Sequence, residues 1–315
     1  MRNTIPCIVL LGAAILSAAC KKDSSTTTLP SMSGLIITDP APFVEIGSTQ
    51  TFTVDVSDLL VSDNTDPGVL GAYWQVNSGV RDTTTRDVAK SNPPYTVDAP
   101  KEGTYSVTAS VYAVKGGYYN AAISVSFEAI NPKTALTGRR SLEVESVEGK
   151  NIMVTDRNTH RWMAENRYGT VSGRDYRDCT VVSDLFGRYY TWEEAQTACP
   201  EGWRLPTAAE FDEDLGDTAG DLMVDAKFLK KAMWAYWPQV IISNKLFFNA
   251  IPTGYVDLTT QQEVFGYKEY ALWWTSDQDG DLGVYRYIYQ EEPVIKKGKG
   301  SKTSLALNVR CIRDL

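Results

Sequence analysis

Few residues of this sequence have the types and spacing that chemistry requires. His160 is the single histidine, so catalysis by a pair of histidines and a histidine-rich metal centre are both excluded. We interpret His160 as a surface residue without a catalytic partner. Asp277, Asp279 and Asp281 alternate in an acidic loop, but the glycine within it falls one place early for an EF-hand, which favours a solvated turn. The loop around Asp63 is interpreted in the same way. We therefore expect no catalytic residue, no metal ligand and no cofactor.

The overall composition is that of a folded protein with about two domains. The chain has 315 residues, of which 43% are hydrophobic and 22% are charged. Lysine and arginine total 31 against 39 aspartates and glutamates, giving a net charge of -8. Binding to nucleic acid is not expected, because neutralising phosphates requires a cationic face.

The N-terminal residues have the order of a secretory signal. Arg2 precedes an apolar run at residues 5–16, which is too short to span a bilayer, and small residues then lead to Cys20. The stretch ending in Cys20 resembles a bacterial lipobox, which implies that residues 1–19 are a signal peptide and that Cys20 carries the lipid anchor. Residues 20–32 are expected to form a flexible tether. The alternative is a soluble secreted protein that is cleaved elsewhere.

The segment directly after Cys20 bears on localisation. Asp23, an acidic residue soon after Cys20, looks like part of the surface-export signals of Bacteroidetes lipoproteins. This resemblance implies a cell-envelope protein that is anchored to the outer membrane and exposed at the surface.

Residues 33–131 show the alternation of half-buried strands. Hydrophobic side chains recur at every second position, as in the run from Tyr105 to Ala113, and turn-forming clusters separate these runs. Such spacing predicts an all-β, immunoglobulin-like sandwich, in which Trp74 is the core tryptophan. The segment from Glu102 to Ala109 resembles a late strand of PKD-type domains.

After an expected linker at residues 132–140, residues 141–315 carry a pattern that belongs to a known family. Six blocks in the same order resemble the Fibrobacter succinogenes major paralogous (FISUMP) domain, and a final segment at Val309–Asp314 follows them. The six blocks are Trp162–Asn166, Gly187–Trp192, Ala198–Thr207, Phe248–Tyr255, Trp273–Ser276 and Tyr285–Tyr287. The family is regarded as similar to C-type lectins in fold, and its members are mostly surface or secreted proteins of bacteria. The resemblance therefore implies an α+β, C-type-lectin-like domain.

Helix signals within this domain agree with an α+β fold. Thr191 with Glu194, and Thr207 with Glu210, form two capping boxes, so short helices are predicted from Trp192 and Ala208. Apolar residues at helical spacing predict a further helical segment over 221–233.

Three cysteines lie in this domain, and an oxidising envelope favours one disulfide among them. Joining Cys199 to Cys311 ties the first helix to the last strand, as in lectin-like domains. It also closes a longer loop than Cys179 to Cys199 would, which is worth more in the chain-entropy model. We therefore predict this pair, with Cys179 left free or bonded to another molecule.

The candidate ligand surface is aromatic. It consists of Trp273, Trp274, Tyr285, Tyr287 and Tyr289, which form either part of the core or an exposed platform for stacking. The calcium-binding motifs of true C-type lectins are missing, because Glu292-Pro293-Val294 lacks the required amide. Lysines at 296–302 form the one basic run, by default a solvated loop and alternatively a contact for an anionic glycan or envelope surface.

These observations favour a non-catalytic, lipid-anchored envelope protein that acts in recognition or adhesion. The C-terminal domain would bind a glycan or a protein without calcium, an inference that depends on analogy of fold. One alternative is a structural subunit of a pilus or matrix. Another is a cysteine oxidoreductase similar to the formylglycine-generating enzymes, which would use Cys179.

Overall fold

The computed structural model describes residues 28–77, 81–84, 87–169, 172–260 and 263–315. The predicted signal peptide, the lipid anchor at Cys20 and most of the tether lie outside these residues. Within the described part of the chain, no helix is both long and apolar enough to cross a bilayer.

The N-terminal region consists of β-strands. Its strands are β1 (Met32–Ser33), β2 (Ile36–Ile37), β3 (Phe43–Glu45), β4 (Thr49–Phe52), β5 (Val54–Asp55), β6 (Leu60–Val61), β7 (Leu70–Val76), β8 (Arg81–Thr84), β9 (Tyr95–Asp98), β10 (Gly103–Ala113) and β11 (Ala121–Ile130). The main sheet has the order β3-β11-β10-β7-β8, and β3 joins its edge in parallel to β11. Strand pairs β4-β9, β2-β5 and β1-β6 complete the layer opposite.

The alternation of side chains along these strands explains the core of this region. Val107, Ala109 and Val111 of β10 are fully buried, and Ala109 lies opposite Trp74 in the register with β7. Trp74 is buried and stacks on Tyr95, with ring centroids 5.1 Å apart. Trp74 is thus a core tryptophan, as predicted.

The C-terminal region combines short strands and short helices. Its strands are β12 (Leu136–Thr137), β13 (Glu143–Val147), β14 (Lys150–Arg157), β15 (His160–Met163), β16 (Lys227–Phe228), β17 (Lys231–Ala232), β18 (Tyr255–Asp257), β19 (Glu263–Phe265), β20 (Tyr270–Asp279), β21 (Leu282–Tyr289), β22 (Lys296–Ser301), β23 (Leu305–Ala306) and β24 (Ile312–Asp314). The helices are α1 (Ser183–Phe186), α2 (Trp192–Ala195), α3 (Ala208–Leu215) and α4 (Ala219–Leu222), preceded by 3₁₀ turns at Tyr176–Asp178 and Thr180–Val182.

Strands of this region form several small sheets rather than one large one. Their orders are β13-β14-β15-β24, β20-β21-β22, β19-β18-β23 and β12-β16-β17. Together with the N-terminal region, they make the described chain mostly β, with little helix.

The two capping boxes are both present, so α2 and α3 begin where the sequence predicts. In each case the threonine hydroxyl accepts a hydrogen bond from the glutamate backbone N–H, and the glutamate carboxylate accepts one from the threonine N–H. These reciprocal bonds satisfy backbone donors that a helix start leaves without partners.

The helix predicted over 221–233 is not formed. After α4 the chain turns into the hairpin of β16 and β17, with Leu229 and Lys230 at positive φ in the turn. Buried Phe228 pairs with Leu136 of β12, and this tertiary strand pairing replaces the helix that the spacing indicated.

The disulfide between Cys199 and Cys311 is present, with the two Cα atoms 5.7 Å apart. It joins the turn after α2 to the start of the last strand, and Cys311 is fully buried. The pairing predicted from the family resemblance and from chain entropy is therefore confirmed.

The two regions share a hydrophobic contact. Phe43 of β3 lies 5.1 Å from Phe228 and 5.9 Å from Tyr176, measured between ring centroids. The segment expected to be a linker, residues 132–140, contributes buried Leu136 to the same cluster and contains strand β12. The two regions therefore meet through buried hydrophobic side chains at this point.

Buried hydrogen bonds around Arg310 connect several segments of the C-terminal region. Buried Arg310 donates to the backbone oxygens of Met163, Phe248 and Asn249 and to the side chain of Asn166. Because a buried guanidinium must find acceptors for its N–H groups, Arg310 holds these segments in fixed positions.

Candidate ligand-binding groove

The hairpin of β20 and β21 separates the aromatic residues that the sequence placed together. Neighbouring positions on a strand point to opposite faces of the sheet. Buried Trp273, Arg286 and Ile288 lie on the side of the central core, whereas Tyr285 and Tyr287 belong to the other face. The two faces therefore have different environments.

Both tryptophans of the predicted ligand surface are core residues. Trp273 is 1% exposed and Trp274 is 0% exposed. The Nε1 atom of Trp273 donates to Asn166 Oδ1 at 3.0 Å, and that of Trp274 donates to the backbone oxygen of Tyr190 at 2.7 Å. With their rings buried and their single donors used, neither can offer a stacking surface, so their assignment to the ligand surface is wrong.

The predicted tyrosines, by contrast, are half-buried and border a surface groove. The groove has a volume of about 260 Å³ and is lined by Tyr255, Tyr270, Leu272, Tyr285, Tyr287 and Leu305. Tyr289 does not line it but stacks on Tyr270, with ring centroids 4.7 Å apart. Tyr285 and Tyr287 of the predicted row therefore belong to a larger tyrosine-lined groove, whereas Tyr289 packs beside it.

Sequence reasoning missed Tyr255, Tyr270, Leu272 and Leu305. Tyr255 comes from β18 and Leu305 from β23, which pair with each other in a separate sheet. The Tyr255 ring lies 6.4 Å from the Tyr270 ring in an edge-to-face arrangement. Alternation along β20 placed Tyr270 and Leu272 on the same face as the predicted tyrosines, and this signal was available in the sequence.

Glycines of β22 make room for the aromatic ring of Tyr285. Gly298 pairs with Tyr285 across the strands, and a Cβ atom at Gly298 would lie 2.3 Å from that ring. Gly300 is similarly close to Leu305. The two glycines thus let Tyr285 and Leu305 lie over the sheet, in the position from which they line the groove.

The phenol groups of Tyr270, Tyr285 and Tyr289 are neutral at physiological pH. Burial raises the pKa of Tyr285 and of Tyr270 above the ordinary value. A hydrogen bond to the Glu291 carboxylate, assisted by neighbouring acidic groups, raises the pKa of Tyr289 to about 12. The hydroxyls therefore keep their protons and can both donate and accept hydrogen bonds.

The basic run beside the groove is already engaged with partners. Lys296 pairs with Glu292 at 3.2 Å and Lys297 with Asp212 at 2.8 Å, while Lys299 pairs with Asp279. The ammonium of the remaining lysine, at position 302, donates to the Gln278 side chain and the Gly280 backbone. Three of the four lysines are thus paired with carboxylates, whereas the hydrogen bonds of Lys302 go to neutral groups and leave its positive charge unbalanced.

Asp277, from the acidic loop, makes a structural contact as well. Asp277 accepts a hydrogen bond at 2.6 Å from the backbone N–H of Ala208, the first residue of α3. Among the described residues, no group of three or more histidine, cysteine, aspartate or glutamate side chains could hold a metal ion.

His160 is not the free surface residue that the sequence suggested. Its Nδ1 atom lies 2.8 Å from Asp214 Oδ2, and its Nε2 atom lies 3.5 Å from Glu210 and 3.8 Å from Asp314. The buried Asp214 carboxylate also accepts a hydrogen bond from Trp162 Nε1. This arrangement connects α3 to β15 and β24.

The thiol of Cys179 is buried where the two regions meet. Its Sγ atom donates a weak hydrogen bond to the backbone oxygen of Arg177. Burial raises the pKa of the Cys179 thiol, although the backbone of Phe43 hydrogen-bonds to it and opposes the shift. A cavity of about 470 Å³ adjoins this cysteine and includes Asp178 and Asp184 in its lining. Such surroundings disfavour the reactive thiolate.

The fold and the site together define a two-region, mostly β protein with a tyrosine-lined groove on its C-terminal region. That region, at residues 133–313, matches the Fibrobacter succinogenes major domain. The match covers more than half of the chain, so the protein belongs to this family. No curated protein matches the chain.

Two solved structures are similar in part. The PKD domain of an M14-like peptidase from Thermoplasmatales archaeon SCGC AB-540-F20 is 18% identical, with 32% of this chain and 96% of that chain covered and a TM-score of 0.22. A quinonprotein alcohol dehydrogenase-like protein from Bacteroides thetaiotaomicron is 12% identical, with a TM-score of 0.21. The alignment covers 89% of this chain and 49% of that protein. These scores are too low to define a common fold.

Proposed function

We propose that the protein is a non-catalytic recognition protein that binds a glycan in the tyrosine-lined groove without calcium. The observation that carries this proposal is the groove itself, in which Tyr255, Tyr270, Tyr285 and Tyr287 converge from three strands. Aromatic rings present flat apolar faces on which sugar rings stack, and phenol hydroxyls supply polar contacts at the same place.

Position and access support the same function. The groove lies at the surface of the hydrophobic cluster around Trp274, on one face of the β20–β21 hairpin, while the opposite face is held by the buried core around Trp273. A binding surface on a rigid hairpin keeps its shape before the ligand arrives, which lowers the entropic cost of binding.

An oxidoreductase based on Cys179 is disfavoured. Such chemistry needs a thiolate that is accessible and formed near neutral pH. The Cys179 side chain is 2% exposed, and burial raises its pKa.

The wider biological setting is part of the proposal. The lipobox-like sequence ending in Cys20 supports a lipid anchor in the outer membrane, with the N-terminal PKD-like sandwich acting as a spacer. The C-terminal domain would adopt a C-type-lectin-like arrangement, supported by the disulfide that joins its early helix to its last strand.

Screening the purified protein against a glycan array, with and without a chelator, tests this function. Binding should persist in the chelator. Tyr270→Ala and Tyr287→Leu should each weaken it about tenfold, which corresponds to the loss of one central aromatic contact. Tyr236→Ala is the control, because Tyr236 is 85% exposed and lies outside the groove lining.

Circular dichroism and the thermal unfolding midpoint establish that each variant is folded. The absence of binding to any glycan would contradict the proposal. Undiminished binding in folded variants of both groove tyrosines, or binding abolished by the chelator, would contradict it as well.

A further inference from the structure

We propose that the glycan bound in this groove carries free amino groups, so that a protonated amino sugar lies against the tyrosine rings beside Glu269 and Glu291. The inference rests on the proposed function and deepens it by assigning a charge to the ligand. It is drawn from the ring arrangement, the unpaired carboxylates and the engaged lysines around the groove.

The tyrosine rings around the groove can attract a cationic ligand. The face of a tyrosine ring carries partial negative charge and attracts an ammonium group within about 6 Å of its centre. Tyr255 and Tyr287 each lie within 6.4 Å of Tyr270, and Tyr285 lies 5.8 Å from Tyr287, measured between centroids. A ligand in the groove therefore contacts several tyrosine rings at once, with one face of Tyr270 covered by Tyr289 and one face of Tyr255 covered by Phe265.

Two carboxylates lie near the end of the β20–β21 hairpin at which Tyr270 and Tyr289 stack. Glu269 directly precedes Tyr270 and is exposed, and its backbone oxygen accepts a hydrogen bond from the N–H of Gln290, so Glu291 lies at the same end of the hairpin. Within the described residues, neither glutamate forms an ion pair with a lysine or arginine. Their negative charge is available to a ligand.

Nearby lysines are engaged with other side chains of the protein. Lys296, which lies across from Tyr287 in the β21–β22 register, pairs with Glu292. Lys268 lies next to Glu269 in the chain, but its ammonium is placed over the Tyr267 ring, 5.8 Å from the centroid, and Tyr267 packs on the cluster around Phe228. Lys268 keeps its positive charge, so Lys268, Glu269 and Glu291 together carry a net charge of -1.

The size of the groove fits a sugar unit. Its volume of about 260 Å³ equals the liquid volume of eight or nine water molecules, which is roughly that of a single hexose ring. An extended oligosaccharide could place one amino sugar in the groove, with its neighbouring units outside.

Titration calorimetry with three oligosaccharides of matched linkage tests the inference. The probes are the β-1,4-linked tetramers of glucosamine, N-acetylglucosamine and glucose, measured with the full chain at mildly acidic pH and low salt. We expect the glucosamine tetramer to bind at least fivefold more tightly than the two neutral tetramers. Added salt should reduce this difference, because it screens attraction between exposed charges.

Charge variants assign the preference to the two glutamates. The double variant Glu269→Gln/Glu291→Gln should lose most of the preference for glucosamine while keeping its affinity for the neutral tetramers. The control Glu193→Gln/Glu213→Gln changes the net charge equally at exposed positions of α2 and α3 and should keep the preference.

The outcomes separate this inference from the proposed function. Equal affinity for all three tetramers, lost on Tyr287→Leu, would overturn the charge assignment and leave glycan binding in place. A preference that survives in the Glu269→Gln/Glu291→Gln variant would overturn the assignment too. Failure of these tetramers and of every arrayed glycan to bind would overturn the proposed function itself.

Discussion

Removal of the disulfide between Cys199 and Cys311 should destabilise the C-terminal region by about 4.8 kcal/mol. The two residues are 112 positions apart, and the chain-entropy model for a closed loop of that length gives about 16 cal/mol/K, or about 4.8 kcal/mol at room temperature. The double variant Cys199→Ala/Cys311→Ala removes the constraint from the unfolded chain.

Guanidinium unfolding followed by tryptophan fluorescence measures this loss in the relevant region. Seven of the eight tryptophans lie between positions 162 and 274, so the signal reports chiefly on the C-terminal region. With a denaturant dependence of about 5 kcal/mol per molar, the midpoint should fall by about 1 M.

A single variant, Cys179→Ala, is the matched control. It removes a buried thiol that forms no disulfide and should cost only about 1 kcal/mol. A shift of less than about 0.2 M in the double variant would refute the reasoning, because it would show that closure of this loop contributes little to stability.

Three further predictions follow from individual contacts. Gly298→Ala should displace the Tyr285 ring, cost about 1–3 kcal/mol and weaken ligand binding; an unchanged unfolding midpoint and affinity would show that the close approach is unimportant. Arg204 lowers the pKa of Glu210 to about 2, so the stability from this ionised carboxylate is fully present above its ordinary pKa of 4.5 and is lost as the pH falls towards 2. Unfolding midpoints measured across this range should depend less on pH in Glu210→Gln than in the unmodified protein, and identical slopes would contradict the assignment. Iodoacetamide should label Cys179 slowly in the native protein and rapidly after unfolding, as followed by mass spectrometry; rapid native labelling would show that the thiol is accessible.

Local signals in the sequence were sufficient for the parts of the fold that depend on neighbouring residues. The capping boxes at Thr191 and Thr207 correctly placed α2 and α3, because each involves residues only three apart. By contrast, residues 221–233 have an apolar spacing that suits a helix, yet Phe228 pairs with Leu136, about ninety positions earlier. No local pattern contains that pairing.

The candidate site shows the same limit. Alternation grouped Tyr285, Tyr287 and Tyr289 on one face, but it could not decide whether that face was buried. Tyr255 and Leu305 reach the groove from a different sheet, so their part in it depends on tertiary packing. Sequence reasoning could therefore propose aromatic candidates but could not separate the core tryptophans from the groove tyrosines.

The contact of Phe43 with Phe228 and Tyr176 has a consequence for protein engineering. A fragment cut at the start of the family domain would leave these two aromatic residues without their cover and would be prone to aggregate. Transplanting the groove to another carrier would therefore need either the strand that contains Phe43 or a polar replacement at Phe228.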